Sequence, residues 1–135
     1  MTNIRLLMAG GFTLVQACAG RAPAVGLAPA EAVRCAAVSD SLSKYVSQDA
    51  LPLAHMVGTP VLPGRPAGLM PGDSVYVEFA VRPNGLADVS TIQISGPSDA
   101  SFVRNVTAFA VQSRFSPAQM EGCSVVSRYN LVVKR

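Results

Sequence analysis

The chain has 135 residues, half of them apolar and only 14% charged, with a formal net charge of +3. That length allows one ordinary domain, and that balance excludes a globally disordered chain, which needs low hydrophobicity and high charge. The basic residues are scattered and Trp is absent, so neither a basic patch nor an aromatic stacking platform for nucleic acid is expected.

Residues 1–19 read as an export signal. Arg5 precedes an apolar run, residues 6–15, and Gln16-Ala17-Cys18-Ala19 supplies small residues at its exit. The run is of signal-peptide length and falls short of the roughly 20 residues that a permanent membrane helix takes. Two processing routes compete. Leu14-Val15-Gln16-Ala17-Cys18 is similar to the lipobox of bacterial lipoproteins, in which the cysteine thiol receives a diacylglyceryl group. Gln16 departs from the small residue usual at that place. Ala17-Cys18-Ala19 also fits ordinary signal cleavage after Ala19. A thiol at the end of an export signal has little other purpose, so Cys18 is expected to carry lipid and to hold a periplasmic protein at a membrane. A secreted, unanchored protein is the alternative.

Residues 20–70 read as a linker that contains one helix. The stretch 20–27 is rich in Ala, Gly and Pro, as a flexible tether would be. Pro29-Ala30-Glu31 suits a first helical turn. Val33, Ala37, Leu42, Tyr45 and Val46 follow a loose helical spacing, which predicts a helix within residues 29–48. Ser39, Asp40, Ser41 and Ser43 interrupt that spacing and offer a shorter helix from about Asp40 instead. From 51 to 72 the chain is punctuated by Pro52, Gly58, Pro60, Pro63, Gly64, Pro66, Gly68, Pro71 and Gly72, and little regular structure is expected there. His55 has no second histidine, CxxC pair or carboxylate at ligand spacing, so it reads as a surface residue and no metal or cofactor is implied.

The pattern sharpens over residues 71–135. Val75, Val77, Phe79 and Val81 alternate with Tyr76, Glu78, Ala80 and Arg82, which predicts a half-buried strand. Pro83-Asn84-Gly85 is a hairpin turn, with Asn-Gly supplying positive φ angles. In the return strand the apolar set changes phase after Val89, to Ile92 and Ile94, and a bulge near Ser90–Thr91 would reconcile the two halves. Ser98 or Asp99 can cap a helix whose apolar face is Phe102, Val103, Val106, Phe109 and Ala110. Phe115-Ser116-Pro117-Ala118 stops the helix, and Glu121-Gly122 makes a turn. A last strand over about 124–133 places Val125, Tyr129, Leu131 and Val133 on one face. The order is β-β-α-β. The expected class is therefore α+β: a small antiparallel sheet with one helix packed on it, plus the N-terminal helix.

These elements together resemble the TonB C-terminal domain family. The stretch Val75-Tyr-Val-Glu-Phe-Ala-Val-Arg-Pro-Asn-Gly-Leu-Ala-Asp-Val89 is similar to the family's first hairpin, and Ser95-Gly96 to the end of its second strand. Phe115-Ser-Pro-Ala118, then Gly122 and an alternating strand, match its "aromatic-x-Pro-Ala, gap, Gly, strand". The resemblance covers residues 60–133. It implies a non-enzymatic, periplasmic protein-binding module whose partner, such as a TonB-dependent outer-membrane transporter, adds a short segment as a strand to the sheet edge. The receiving edge would be the last strand: Arg128, Tyr129, Asn130, Leu131, Val132 and Val133. Energy-transducing members carry an uncleaved membrane helix and a long charged spacer. Here the apolar segment is short and reads as cleavable, with an uncleaved anchor as the minor alternative, and the spacer carries little charge, so the resemblance supports the binding module and puts energy transduction in doubt.

If Cys18 is used for lipid, Cys35 and Cys123 remain as a pair in an oxidising compartment. A bridge between them would tie the first helix to the start of the last strand and support a domain that is small for independent stability. Two free thiols are the alternative. No nucleophile-base-acid set, paired carboxylates or phosphate loop is visible, so catalytic residues are not assigned. A structural or assembly lipoprotein of the envelope is the rival to the transporter-binding reading.

Overall fold

The computed structural model describes residues 28–135. Residues 1–27, on which the expected export signal, Cys18 and the expected tether fall, lie outside the described residues.

The elements in chain order are α1 (Pro29–Tyr45), a single 3-10 turn (Gln48–Ala50), β1 (His55–Val57), β2 (Ser74–Val81), β3 (Ala87–Ser95), α2 (Ala100–Gln112), β4 (Arg114–Ser116), β5 (Gln119–Met120), β6 (Cys123–Ser124) and β7 (Ser127–Lys134). The central sheet has the order β3-β2-β7 and is antiparallel throughout. On its inner face Val75, Val77, Phe79 and Val81 of β2 are buried, as their alternation predicts, and α2 packs there through Phe102, Val106, Phe109 and Ala110. Phe79 stands at the centre of an aromatic cluster, with ring centroids 6.4 Å from Phe109, 5.5 Å from Phe115 and 5.4 Å from Tyr129. Edge-on and tilted contacts at such spacings add to the burial of the rings. The class is the expected α+β, a β-β-α-β unit with a second helix before it.

Local chemistry explains the boundaries. Asp99 caps α2: its Oδ1 accepts the amides of Ser101 at 2.8 Å and Phe102 at 3.0 Å. Its Oδ2 accepts the amide of Ala67 at 2.6 Å, so one carboxylate fixes both the helix start and the loop before β2. Val103 leaves the expected apolar face and is 43% exposed, since it lies one position, about 100°, round the helix from buried Phe102. In α1 the serines do not break the helix. Ser41 and Ser43 donate back to the carbonyls of Ala37 and Ser39 at 2.9 and 2.8 Å, which satisfies a hydroxyl inside a helix.

The first hairpin closes differently from the expected Asn-Gly turn. Gly85 takes φ 79° and Asn84 is not among the residues with positive φ. Asn84 instead accepts the Leu86 amide through Oδ1 at 3.1 Å. A Cβ at Gly85 would overlap the Phe115 carbonyl oxygen, so this glycine also admits a close backbone approach. The phase change in β3 is a bulge where expected. Thr91 Oγ1 fills the gap, accepting the Ala80 amide at 2.8 Å and donating to the Asp88 carbonyl at 2.7 Å.

Three regions depart from the sequence expectations. The Pro/Gly-rich stretch is not a free linker. Residues 53–57 contain neither Pro nor Gly, and β1 forms there, pairing with β4 so that His55 faces Ser116 and Met56 faces Phe115. Ala54 and Leu69 join the core, and the Pro63 carbonyl accepts from Asn105 Nδ2 at 3.3 Å. The expected Glu121-Gly122 turn is found, with φ 52° and 78°, but the residues on either side of it pair as a small hairpin, β5–β6, that the sequence reading did not include. The last strand begins at Ser127, later than expected, because Val125 is claimed by a second cluster with Cys35 and Cys123.

That second cluster holds α1. Cys35 and Cys123 are bonded, with Cα atoms 5.2 Å apart. Val126 N donates to Ser39 Oγ at 3.0 Å, and Arg34 reaches the Glu121 carbonyl at 3.2 Å. Elsewhere α1 buries little. Between its short side chains, among them Ala32, Ala36 and Ser39, and the outer sheet face at Ala80 lies a cavity of about 910 Å³.

Candidate functional site

β7 has a neighbour, β2, on one side only. In an antiparallel ladder the N–H and C=O of one residue point to the same side, and successive residues alternate. Arg128 fixes the phase: its amide donates to the Pro52 carbonyl at 2.8 Å, and its carbonyl accepts the Ala54 amide at 2.7 Å. Both groups point away from β2. By alternation the backbone groups of Asn130, Val132 and Lys134 also point outward, while Tyr129, Leu131 and Val133 face β2. Among the described residues no loop backbone bonds to Asn130 or Val132.

The six expected edge residues therefore divide into three kinds. Arg128 is not free, because the chain leaving α1 crosses the start of β7 and makes a one-residue parallel bridge there through Leu53. Buried Leu51 anchors that crossing, and Arg128 Nε donates to its carbonyl at 3.1 Å. Tyr129, Leu131 and Val133 bind the strand to the core and offer no outward backbone groups. Asn130 and Val132 present unpaired donors and acceptors. Lys134, outside the expected set, belongs with them; its role becomes visible only once the phase at Arg128 is known.

The slot beside this edge has a defined floor and wall. Residues 62–65 stand across a cavity of about 290 Å³ from residues 131–134. On the outer sheet face Glu78 is held at both sides: Arg128 Nη1 lies 3.3 Å from its Oε2, and Asn130, with its amide nitrogen turned to the acid, donates at 3.0 Å. Burial pushes the Tyr129 phenol up from its ordinary value, and its hydroxyl donates to Met56 Sδ at 3.6 Å. That contact fixes the base of the strand from the inner side.

The other sequence candidates are placed as follows. Cys35 and Cys123 form the bridge already described. His55 is exposed on β1. Cys18 lies outside the described residues. No helix among the described residues is long and apolar enough to cross a membrane. Comparison with known proteins finds no matching family model and no matching curated protein.

Proposed function

We propose that this chain is a non-enzymatic protein-binding module of the bacterial periplasm, which takes an extended segment of an envelope protein as a fourth strand against β7. The observation that carries the reading is the outward, unpaired backbone of Asn130 and Val132 at the end of a three-stranded sheet. Strand addition draws its affinity from such main-chain groups and its selectivity from side-chain pockets. The likeness of residues 60–133 to TonB C-terminal domains gives the same mode and suggests an outer-membrane transporter as partner. Lipid on Cys18 would tether the module to a membrane without a motor-coupled helix. That anchor favours envelope assembly over energy transduction as the second reading, and outer-membrane recovery of the native protein would support it.

Asn130→Pro tests the mode. It removes an outward donor and leaves the inward ladder residues unchanged. The variant should keep its far-UV circular dichroism and lose the envelope proteins that the wild-type chain retains. Unchanged retention would sink strand addition at this edge. The anchor is tested separately: a fatty-acid analogue should label the wild type and not Cys18→Ala.

A further inference from the structure

The cavity between α1 and the outer sheet face has two walls that are held apart. One wall is the inward side of α1, where Ala32, Ala36, Ser39 and Ser43 recur at helical spacing and present short side chains. The other is the sheet, from Ala80 of β2 and Thr91 of β3. The spacing between them is fixed at three points. These are the Cys35–Cys123 bridge, the hydrogen bond from Val126 N to Ser39 Oγ at 3.0 Å and, just past the helix, that from Gln48 Nε2 to the Thr91 carbonyl at 3.3 Å. A close-packed contact leaves few voids larger than a water molecule. This one leaves about 910 Å³, a volume in the range of small-molecule sites. Three charged side chains line it: Arg82, Asp88 and Asp40. Arg82 Nη2 lies 3.3 Å from Asp88 Oδ2, so those two answer each other. Asp40 is exposed at the rim and has no ion-pair partner among the described residues. We infer that the cavity is a binding site for a small organic cation with an apolar body: the body lies against Leu51, Ala80 and Val126, and the charged head meets Asp40.

The charge argument is one of complementarity. The lining carries two carboxylates and one guanidinium, and that excess of negative charge favours a cation. An anion would have to part Arg82 from Asp88 or enter unpaired. Low-dielectric walls focus such a field, and a partly enclosed pair is screened less than one on an open surface. The apolar argument is one of shape. Alanine has no rotamer with which to fill the space, so the gap is closed by a ligand or left to water, and burying an apolar body there is favourable in proportion to its area. The site makes no use of the β7 edge and is independent of strand addition.

Octyltrimethylammonium, octanoate and octan-1-ol share one chain and differ in the charge of the head. Each is titrated, below its aggregation concentration, into the isotope-labelled full chain with the bridge intact, and the amide shifts are followed by NMR. The cation is expected to give saturable shifts at Ala36, Ser39, Ala80 and Thr91, with an affinity several-fold above that of the alcohol, and octanoate should bind more weakly than either. In Asp40→Asn, altered at one exposed carboxylate, the cation should fall to the affinity of the alcohol while the alcohol is unaffected. Ala36→Leu puts a larger side chain into the space from an exposed helical position; it should weaken all three ligands and leave the circular dichroism unchanged. No saturable shift at the lining residues with any of the three would show a solvent-filled gap and overturn the inference. Equal affinity for cation and anion, or a cation preference that survives Asp40→Asn, would overturn it as well.

Discussion

The two helices lie against opposite faces of one sheet and are held there by different physics. α2 contributes Phe102, Val106, Phe109 and Ala110 to the core, and its start is capped by Asp99. α1 is longer yet fully buries only Cys35 and Ser39, and its attachment is a covalent bond with a few hydrogen bonds and the half-buried Val38 and Leu42 around it. Burial of a continuous apolar face stabilises α2 in the folded state. The bridge that holds α1 acts largely by restricting the unfolded chain. The apolar contact of α1 is small, with half-buried Val38 and Leu42 packing around Cys35, Cys123 and Val125, and the cavity beneath its Ala and Ser side chains shows how loosely the rest of the helix meets the sheet. The open edge sits where the two layers meet: β7 is fixed to the inner core by Tyr129, while the chain leaving α1 closes only Arg128, its first outward-facing residue.

Breaking the bridge should separate the layers most clearly. The partners are 88 residues apart, for which the chain-entropy relation gives about 4–5 kcal/mol as an upper value. In Cys35→Ala/Cys123→Ala the amides of α1 are expected to lose hydrogen-exchange protection, while those of β2 and α2 keep theirs relative to global unfolding. Equal loss in α1 and α2 would show that the helices form one cooperative unit.

Damage to the inner layer should have the opposite distribution. Phe109→Ala removes a ring from contact with Phe79, Phe115 and Tyr129, and a buried Phe→Ala change costs about 3–5 kcal/mol. In denaturant the whole cooperative transition should move to lower concentration, with the unfolding free energy reduced by that amount. A shift confined to α1 would contradict the assignment of the core.

The smallest effect expected is at Asp99. Hydrogen bonds from the amides of Ala67 and then Phe102 hold its carboxyl below the ordinary aspartate value of 3.8. A depressed folded pKa gives stability that is present above the unfolded value and is lost as pH falls through the folded one. Asp88 is depressed in the same direction, first by the Ser90 hydroxyl. Denaturant midpoints should therefore fall on acidification below about pH 4, and Asp99→Asn should show a shallower fall than wild type. An unchanged slope would remove Asp99 from the acid response.

What could be read from the sequence was set by short-range chemistry. The alternation of Val75 to Val81, the capping Asp99, the bulge at Thr91 and the apolar face of α2 all act over a few residues, and each is found close to where the pattern puts it. The misread regions depend on contacts distant in sequence. β1 exists because β4 pairs with it, and Val125 leaves the last strand because Cys35 lies beside it. Arg128 was expected as part of an open edge, yet Pro52 and Ala54 occupy its backbone groups, a contact that no local pattern encodes. The same holds for the wall at residues 62–65: the composition of a Pro/Gly-rich stretch shows that it is irregular and says nothing of what it packs against.

The openness of the β7 edge can be read directly from residue-resolved amide hydrogen exchange of the full chain, alone and with a heptapeptide selected on it from a random phage-displayed library. In the free chain the amides of Leu131 and Val133 should be protected by β2, and those of Asn130 and Val132 should exchange quickly. On adding the peptide, Asn130 and Val132 should become protected with little change at Leu131 and Val133. Protection of Asn130 and Val132 already in the free chain, or peptide binding that leaves them fast, would contradict the account.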